Sequence, residues 1–363
     1  MTFKTLQILL FIILLSGCSY GQPDTNGIIK DYFGTNLSTT DLDTFMESKM
    51  DSLNIPGLSF ALINDGEMVH HKTLGYADRE SEKPVTNQTI FEGASISKSV
   101  FSFFVMTYVE EEILDLDKPL YEYLPYPDIE DDERYKKITA RMVLSHRSGF
   151  PNWRFNEMNG RLKIYFEPGT DYKYSGEGYQ YLAKVLAEIE DTDSEGLEVA
   201  FQRRVAQPLG LDHTTFLQTP FTKEHKATPY DENTQRMMPP MDNREFGAAY
   251  SIHTEAVDFS KWMIAVMNNE LLDDESYGEL FKRHSSVPND GPDAYYTLGF
   301  MTPDIPEIDA NIYMHGGNNE GFTCMYLLDI EKDWGFVVFT NSEFGQELGN
   351  ELGDFLIPED QLK

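Results

Sequence analysis

Hydrophobic and polar positions follow two different periods along the chain, and each period predicts one kind of element. Apolar residues recur at helical spacing over residues 42–53, so we predict a helix there with Asp41 as its cap. Two short apolar runs, residues 58–63 and 68–71, flank the sequence Asn-Asp-Gly-Glu at 64–67, which is typical of a β-hairpin. The front of the chain therefore predicts one helix followed by two antiparallel strands.

The middle of the chain has helical periodicity and the end returns to strand-like runs. Residues 218–246, with prolines and many polar residues, are predicted to be a long irregular loop. Three helices are predicted before and after that loop, at residues 178–191, 196–209 and 257–267. The later part predicts three strands and a closing helix, at residues 296–300, 325–328, 335–340 and 346–356.

Strands at both ends with helices between them predict an α+β fold. We expect one antiparallel sheet built from both chain ends and flanked by helices, with a mostly helical inserted subdomain. The sheet part is predicted at about residues 40–113 and 290–363, and the helical part at about residues 114–289. Together these segments make one domain over residues 40–363.

The first residues have the pattern of an export signal. Lys4 precedes an apolar run at residues 8–15, which is too short to span a membrane, so residues 1–17 are predicted to be a signal peptide. The sequence Leu-Ser-Gly that precedes Cys18 resembles a bacterial lipobox, in which the cysteine is lipidated. Residues 18–39 would then be a tether, and the protein an exported bacterial lipoprotein of the cell envelope, in the periplasm or at the outer membrane. The alternative is a plain secretory signal in which Cys18 is incidental.

Composition narrows the range of partners. The chain has 363 residues with a formal net charge of −32, which disfavours nucleic acid as a partner because phosphate would be repelled. Its cysteines are Cys18 and Cys324, too few for a disulfide framework or a thiolate metal site. The eight histidines form no zinc-binding pattern, so we predict no metal and no cofactor. Contact with a membrane is expected only through the lipid anchor.

The strongest chemical signal is the pair Ser95 and Lys98, at the start of an apolar run predicted to be a buried helix. Three positions apart on a helix, the two side chains lie on one face. A lysine in a partly desolvated cleft has a lowered pKa and can take a proton from a serine hydroxyl. A Ser-x-x-Lys pair is also expected by chance in a chain of this length, so other positions must support it.

Two further patches supply that support. Tyr174 precedes a predicted helix, where its phenol can reach a cleft, although a tyrosine there is more often a packing residue. Residues 315–318, His-Gly-Gly-Asn, lie between strand-like runs, and paired glycines allow close approach of a ligand to the backbone, although such a sequence is often only a turn.

Together and in this order, these segments resemble the superfamily of serine β-lactamases, penicillin-binding proteins and esterases, on the side of the class C enzymes. The resemblance extends from about residue 40 to residue 345. The supporting segments are Leu-Asp-Lys-Pro at 116–119, Leu-Ser-His-Arg-Ser-Gly at 144–149, Glu-Pro-Gly at 167–169, Tyr-Ser at 174–175, Leu-Gly-Leu at 209–211 and His-Gly-Gly at 315–317.

The resemblance implies a role for each matching residue. Ser95 would be the acylated nucleophile, Lys98 its proton acceptor or electrostatic partner, and Tyr174 a general base and then acid. His315 falls where many relatives have a lysine, and the backbone N–H groups of Ser95 and Asn318 would form the oxyanion hole. His146 is expected to be structural rather than a catalytic base. The resemblance also places three glycines in substrate binding: Gly176, Gly316 and Gly317.

Two departures from the family pattern bear on the substrate. Gly176 stands where relatives have an asparagine, and His315 removes a permanent cation that would bind a substrate carboxylate. The leading hypothesis is therefore a serine hydrolase that cleaves an ester, a D-amino-acid peptide or a related small amide through an acyl-enzyme on Ser95. A β-lactamase or D,D-carboxypeptidase is the alternative in the same class, and a non-catalytic cell-envelope binding protein is the alternative from another class. The natural substrate and the oligomeric state are left open.

Overall fold

The computed structural model describes residues 27–237, 245–288, 293–305, 311–358 and 361. The predicted signal peptide, Cys18 and the first part of the predicted tether lie outside the described residues, so the predictions about them stay predictions. Among the helices that are described, none is long and apolar enough to cross a membrane.

Five of the described strands have seven to twelve residues, and the others have two or three. In chain order they are β1 Ile28–Lys30, β2 Asn36–Ser38, β3 Gly57–Asn64, β4 Glu67–Asp78, β5 Lys83–Pro84, β6 Phe91–Glu92, β7 His253–Thr254, β8 Ser285–Val287, β9 Ala294–Tyr296, β10 Met301–Pro303, β11 Ile312–Asn319, β12 Phe322–Asp329 and β13 Trp334–Thr340.

Most of these strands join one sheet that uses both ends of the chain. Within the described residues, nine strands pair in the order β5-β4-β3-β13-β12-β11-β10-β9-β8, and β1-β2 and β6-β7 are separate pairs. The joint between the two ends is the antiparallel pairing of β3 with β13, in which Ala61 lies opposite Val337. The predicted antiparallel sheet with flanking helices is confirmed.

Most of the described helices lie in sequence between the front hairpin and β11. In chain order they are α1 Thr39–Leu53, α2 Ser97–Glu110, α3 Ala140–Leu144, α4 Gly176–Ile189, α5 Ser194–Phe201, α6 Gln207–Leu209, α7 Pro220–His225, α8 Ala256–Met267, α9 Asp274–Phe281 and α10 Gly345–Leu356. One π-helical turn, Gln202–Ala206, joins α5 to α6.

Helices cover both faces of the central strands. Alternate residues of β3 point to opposite faces: Phe60 packs with Met46 of α1, and Ala61 lies in the larger core together with Met263 of α8. Every residue of β3, β12 and β13 is buried, because neither face of these strands meets solvent. The site described below lies on the α2 side of this sheet.

The front of the chain folds as predicted except at its cap. The helix and the hairpin are confirmed as α1 and the pair β3-β4. The prediction that Asp41 caps the helix is wrong, because the helix begins two residues earlier. The Ser38 side chain accepts a hydrogen bond from the Thr40 N–H, which satisfies one of the free donors of the first turn.

The predicted strand at residues 296–300 is wrong. Strand β9 ends at Tyr296, and the chain then turns, with the Thr297 N–H donating to the Phe300 carbonyl at 2.9 Å. Gly299 has a φ of +93° and packs against α2, where a Cβ would lie 2.1 Å from the Ser102 hydroxyl oxygen. The turn therefore needs glycine both for its backbone and for its close contact.

Two other segments are more regular than expected. Residues 315–318 do not lie between strands but inside β11, which pairs with β12 over its full length. The long loop predicted at residues 218–246 contains the helix α7, whose first turn is capped by Thr219. In α8, Val257 is only half-buried, and Phe259 takes the inward position.

Candidate active site

Ser95 lies at the turn that connects β6 to α2. A short 3₁₀ turn, Ala94–Ile96, carries it, and Ala94 has a φ of +47°, which is a costly conformation for a residue with a side chain. The Ser97 hydroxyl holds this turn by donating to the Ala94 carbonyl at 2.5 Å and accepting from the Ile252 N–H at 3.0 Å. The backbone around Ser95 is therefore fixed by its surroundings rather than by its own preference.

Lys98 is in the first turn of α2, and its side chain is only 1% exposed. Its Nζ donates to the Ser95 Oγ at 3.1 Å and to the Ala249 carbonyl at 2.8 Å. In the part of the chain that the structure describes, no carboxylate lies within ion-pair distance of this amine. Burial without a compensating charge lowers the pKa of Lys98 to about 7, so a large share of the amine is neutral at physiological pH.

Tyr174 lies over Lys98 on the other side of Ser95. The lysine Nζ is 4.6 Å from the centre of the tyrosine ring, and Tyr174 lines the same cavity as Ser95. Burial raises the pKa of Tyr174, and the nearby Ser95 side chain offsets only part of that effect. The phenol is thus protonated at neutral pH. The structure brings Tyr174 to Ser95 and Lys98, although it lies more than 70 residues later in the sequence.

A wall of neutral rings completes this side of the site. The Tyr296 hydroxyl donates to Nε2 of His315 at 2.9 Å, and Nδ1 of His315 donates to the Gly316 carbonyl at 2.6 Å, a tautomer assigned from these partners. Burial, with Lys98 nearby, lowers the pKa of His315 to about 3. His315 is consequently uncharged at neutral pH and supplies no cation.

His146 packs against the rings of Tyr174 and Tyr296. Its ring centre is 4.3 Å from that of Tyr174 and 4.4 Å from that of Tyr296, and its Nδ1 accepts the Ser175 N–H at 3.1 Å. Burial lowers the pKa of His146 well below its usual value. The geometry agrees with the expected structural role, because this histidine orients Tyr174 and contacts the backbone that leads into α4.

Strand β11 approaches the nucleophile turn closely. A Cβ on Gly317 would lie 2.3 Å from the Gly93 carbonyl and 2.7 Å from the Cys324 sulfur, so only glycine fits there. This contact places Asn318 and Ser95 on the wall of one cavity of about 300 Å³. The residues lining that cavity are Ser95, Tyr172, Tyr174, Tyr296, Met301, His315, Gly316, Gly317, Asn318 and Gln346.

Neither Gly176 nor the buried Lys98 lines this cavity, and Gly176, unlike Lys98, has no contact with Ser95 among the described hydrogen bonds. A Cβ on Gly176 would lie 2.5 Å from the indole of Trp153, which occupies the space of the missing side chain. Trp153 also forms one wall of a second cavity, of about 500 Å³, together with Tyr126, Phe155 and Tyr250. The substrate-binding role of Gly176 stays a prediction, and any such role would act through Trp153.

One group of side chains among the described residues has the spacing of a metal site, and it lies away from Ser95. The ligand atoms of His213, Glu255 and Asp258 are within 4.8 Å of one another. Both carboxylates already accept backbone N–H groups, and Lys261 donates to Asp258 at 2.8 Å. These partners give the carboxylates a structural use at the start of α8.

Sequence reasoning missed several groups at the site. Tyr296 was assigned to a strand without a function, and the Ala249 carbonyl belongs to a segment without a motif. Glu92 received no role from the sequence, yet it is 1% exposed and forms an ion pair with Lys226. The sequence does contain a signal for Glu92, because it is a charged residue among the apolar and small residues that precede Ser95.

Comparison with known proteins agrees with this geometry. The family model described as Beta-lactamase matches residues 42–356. The chain therefore belongs to the beta-lactamase family, whose members are typically serine hydrolases that work by acyl transfer.

Its relatives are distant in sequence. The chain is 24% identical over 348 residues to Protein flp of Staphylococcus aureus (strain MW2), covering 89% of this chain and 67% of that protein. It is 23% identical over 314 residues to Penicillin-binding protein 4* of Bacillus subtilis (strain 168), covering 77% of this chain and 66% of that protein. The chain thus spans about two thirds of the length of these relatives.

Two solved structures share the fold. The octameric penicillin-binding protein homologue from Pyrococcus abyssi aligns with a TM-score of 0.73 and 22% identity, covering 85% of this chain and 74% of that chain. The D-alanine carboxypeptidase AmpC from Burkholderia cenocepacia aligns with a TM-score of 0.68 and 19% identity, covering 84% and 95%. At these identities the likeness establishes the fold.

Proposed function

We propose that the protein is a serine hydrolase that forms an acyl-enzyme on Ser95 and cleaves an ester, a D-amino-acid peptide or a related small amide. The observation that carries the proposal is the contact of 3.1 Å between the Ser95 Oγ and the buried Lys98 amine. A buried lysine without a carboxylate partner costs stability, which is tolerated where the neutral amine has a use.

Lys98 is the proposed base. With a pKa of about 7, its neutral form is available at physiological pH, and it accepts the Ser95 proton as the oxygen attacks the substrate carbonyl. The C–O or C–N bond to the leaving group then breaks, and the proton passes to the leaving group. In the second half of the reaction a water molecule attacks the acyl carbonyl, and the ester bond to Ser95 is hydrolysed.

Tyr174 is the proposed proton relay. Because burial raises the pKa of its phenol, it rests protonated and suits the role of donor to the leaving group better than that of a resting phenolate base. Tyr174 lines the same cavity as Ser95, and its ring lies over the Lys98 amine that contacts the Ser95 Oγ. In this division of work Lys98 accepts the Ser95 proton and Tyr174 donates its phenol proton to the leaving group. The resulting phenolate then takes the proton from the Lys98 ammonium, which restores both groups.

The oxyanion hole is proposed to consist of the Ser95 and Asn318 backbone N–H groups. Both residues line the cavity of about 300 Å³, and the tight packing at Gly317 fixes the strand against the nucleophile turn. Donors fixed before the reaction stabilise the developing negative charge without reorganising during it.

The walls favour substrates without a carboxylate beside the scissile bond. His315 is neutral, so the site offers no permanent cation at the position where relatives have a lysine. This places neutral esters ahead of penicillins and cephalosporins. The β-lactamase or D,D-carboxypeptidase alternative rests on relatives described as a penicillin-binding protein and a D-alanine carboxypeptidase.

One set of assays tests this order. We expect a p-nitrophenyl ester to be hydrolysed with a higher kcat/KM than a chromogenic cephalosporin or a D-Ala-D-Ala peptide, and Ser95→Ala to lose all three activities. Efficient turnover of the cephalosporin alone would reverse the order. A folded wild-type protein that turns over none of the three and forms no fluorophosphonate adduct on Ser95 would favour the non-catalytic binding protein.

We also propose that the mature protein is a cell-envelope lipoprotein anchored through Cys18. The support is the lipobox-like sequence before Cys18 and the short apolar run before it. Expression of the full chain in a bacterial host with labelled fatty acid should give a labelled membrane-associated protein. Cys18→Ser should lose the label, and a wild-type protein released without label would refute the anchor.

A further inference from the structure

The proposed oxyanion donors lie on two segments, the turn that follows β6 and the strand β11. Buried polar side chains connect these two segments. Glu92 lies three residues before Ser95, and Asn319 directly follows Asn318. The Asn319 Nδ2 donates to the Glu92 Oε2 at 2.6 Å and to the Tyr250 carbonyl at 3.1 Å. One amide thus contacts the strand before the nucleophile and the segment after Ala249, whose carbonyl binds Lys98.

The Glu92 carboxylate is almost completely buried, at 1% exposure, and its charge is balanced. Lys226 forms an ion pair with its Oε1, and the lysine Nζ lies 3.4 Å from Nε2 of His253. A buried carboxylate is costly unless it is paired and hydrogen-bonded, and Glu92 is both. The carboxylate thus joins two partners, the Lys226 amine on one oxygen and the Asn319 amide on the other.

Main-chain hydrogen bonds do not hold the segment of Glu92 against strand β11. Strand β6 has two residues and pairs with β7, not with β11, so no ladder of main-chain hydrogen bonds connects Glu92 to the strand that bears Asn318. The side-chain bond between Glu92 and Asn319 supplies a direct polar link between them, beside the steric contact of Gly317 with Gly93.

We infer that Glu92 and Asn319 are positioning residues that set the distance between the two oxyanion donors. The inference rests on the proposed function, because it concerns the same acyl-transfer site. A displaced donor weakens stabilisation of the tetrahedral oxyanion more than it weakens binding of the uncharged substrate. Loss of the link should therefore lower kcat and leave KM nearly unchanged.

The test compares Asn319→Ala and Glu92→Gln with a matched control, Glu198→Gln. Asn319→Ala removes the link and leaves the ion pair between Glu92 and Lys226 in place. Glu198 is another buried carboxylate, at 8% exposure, which accepts the Phe216 and Leu217 N–H groups away from the site. The readouts are kcat and KM for p-nitrophenyl acetate and the inhibition constant of phenylboronic acid, which forms a tetrahedral adduct with serine.

We expect kcat to fall about tenfold in Asn319→Ala and Glu92→Gln, with KM within about twofold and boronate affinity reduced in parallel with kcat. Glu198→Gln should lower the melting temperature and leave all three constants unchanged. Unchanged kcat and boronate affinity in Asn319→Ala, in a wild-type protein whose Ser95 is labelled by a fluorophosphonate, would overturn the positioning role alone. A folded wild-type protein without labelling would overturn the acyl-enzyme and the positioning role together.

Discussion

Two buried lysines near the nucleophile differ in their partners. Lys98 contacts the Ser95 hydroxyl and a backbone carbonyl, and no described carboxylate pairs with it. Lys226 has a side chain only 8% exposed, and it is paired with the carboxylate of Glu92. Both side chains are largely buried, and the main difference is whether the positive charge is compensated.

The comparison shows how one residue type serves two purposes. An uncompensated buried amine loses its proton readily, which makes it useful as a base and costly to the fold. A compensated amine contributes to structure, and removing one partner leaves the other charge buried alone. We therefore expect Lys98 variants to lose activity and Lys226 variants to lose stability.

The largest effect is expected for Lys98→Met. We predict that kcat/KM for a neutral ester falls by about 10⁴-fold, because the proposed base is lost. The melting temperature should stay equal to that of the wild type or rise, because an uncompensated buried amine is replaced by an apolar side chain. Steady-state kinetics and thermal denaturation at pH 7 measure both. Activity within tenfold of the wild type would remove Lys98 from the mechanism.

The opposite result is expected for Lys226→Met. Removing this amine leaves the Glu92 carboxylate buried without its ion-pair partner, and we predict a loss of about 3–5 kcal/mol in the free energy of unfolding. Urea unfolding measures this loss. A double variant with Glu92→Gln should recover part of it, because no unpaired carboxylate remains. A Lys226→Met protein as stable as the wild type would show that the ion pair is not structural.

A smaller effect on rate is expected for Tyr174→Phe. The ring still covers Lys98 while the proton relay is lost, so we predict a fall of about 10²-fold in kcat/KM with little change in stability. The loss should be smaller for esters with good leaving groups, which need less protonation. An equal loss for p-nitrophenyl and alkyl esters would argue against the role of Tyr174 as donor to the leaving group.

The pH dependence sharpens the distinction between the lysines. If neutral Lys98 is the base, kcat/KM should rise by about tenfold per pH unit below pH 7 and level off above it, since the pKa of Lys98 is about 7. The free energy of unfolding should also increase with pH. The pKa of Lys98 is lower in the folded state than its ordinary value of 10.5, so the unfolded chain binds more protons between these values.

The stability of the wild type should therefore rise relative to Lys98→Met as the pH increases from about 7 to about 10. Paired urea titrations of the two proteins across this range isolate the contribution of Lys98 from other titrating groups. A constant difference across the range would mean that the amine keeps its ordinary pKa in the fold.

The smallest effect concerns a position that contacts neither lysine. Gly176→Ala adds a Cβ that would lie 2.5 Å from the indole of Trp153, and we predict a loss of about 1–3 kcal/mol in stability from overpacking. The double variant Gly176→Ala/Trp153→Ala should recover the part that comes from the clash. If the double variant recovers no stability, the loss in Gly176→Ala would come from the backbone at the start of α4 and not from the contact with Trp153.

The fold was largely predictable because its signals are local. The stripe of residues 42–53 and the hairpin sequence at 64–67 each specify an element without distant contacts. The strand predicted at 296–300 failed because its apolar residues pack through a turn at Gly299, which fits against α2. That contact depends on tertiary structure, so it cannot be predicted from the pattern of apolar and polar residues in the segment.

The site was predictable in its side chains and not in its environment. Ser95, Lys98 and Tyr174 carry recognisable spacing and order, and they meet in the structure. The absence of a charge partner for Lys98, among the described residues, depends on which segments fold over it, and the Ala249 carbonyl has no sequence signature. The pairing of Glu92 with Lys226 likewise joins positions that are more than 130 residues apart.

The most direct test is mass spectrometry of the folded protein after reaction with a fluorophosphonate at pH 7.5, with Ser95→Ala and Lys98→Met treated in parallel. The account predicts one adduct on Ser95 in the wild type, none in Ser95→Ala, and much slower labelling in Lys98→Met. A wild-type protein that stays unlabelled, or a Lys98→Met variant that is labelled as fast as the wild type, would contradict it.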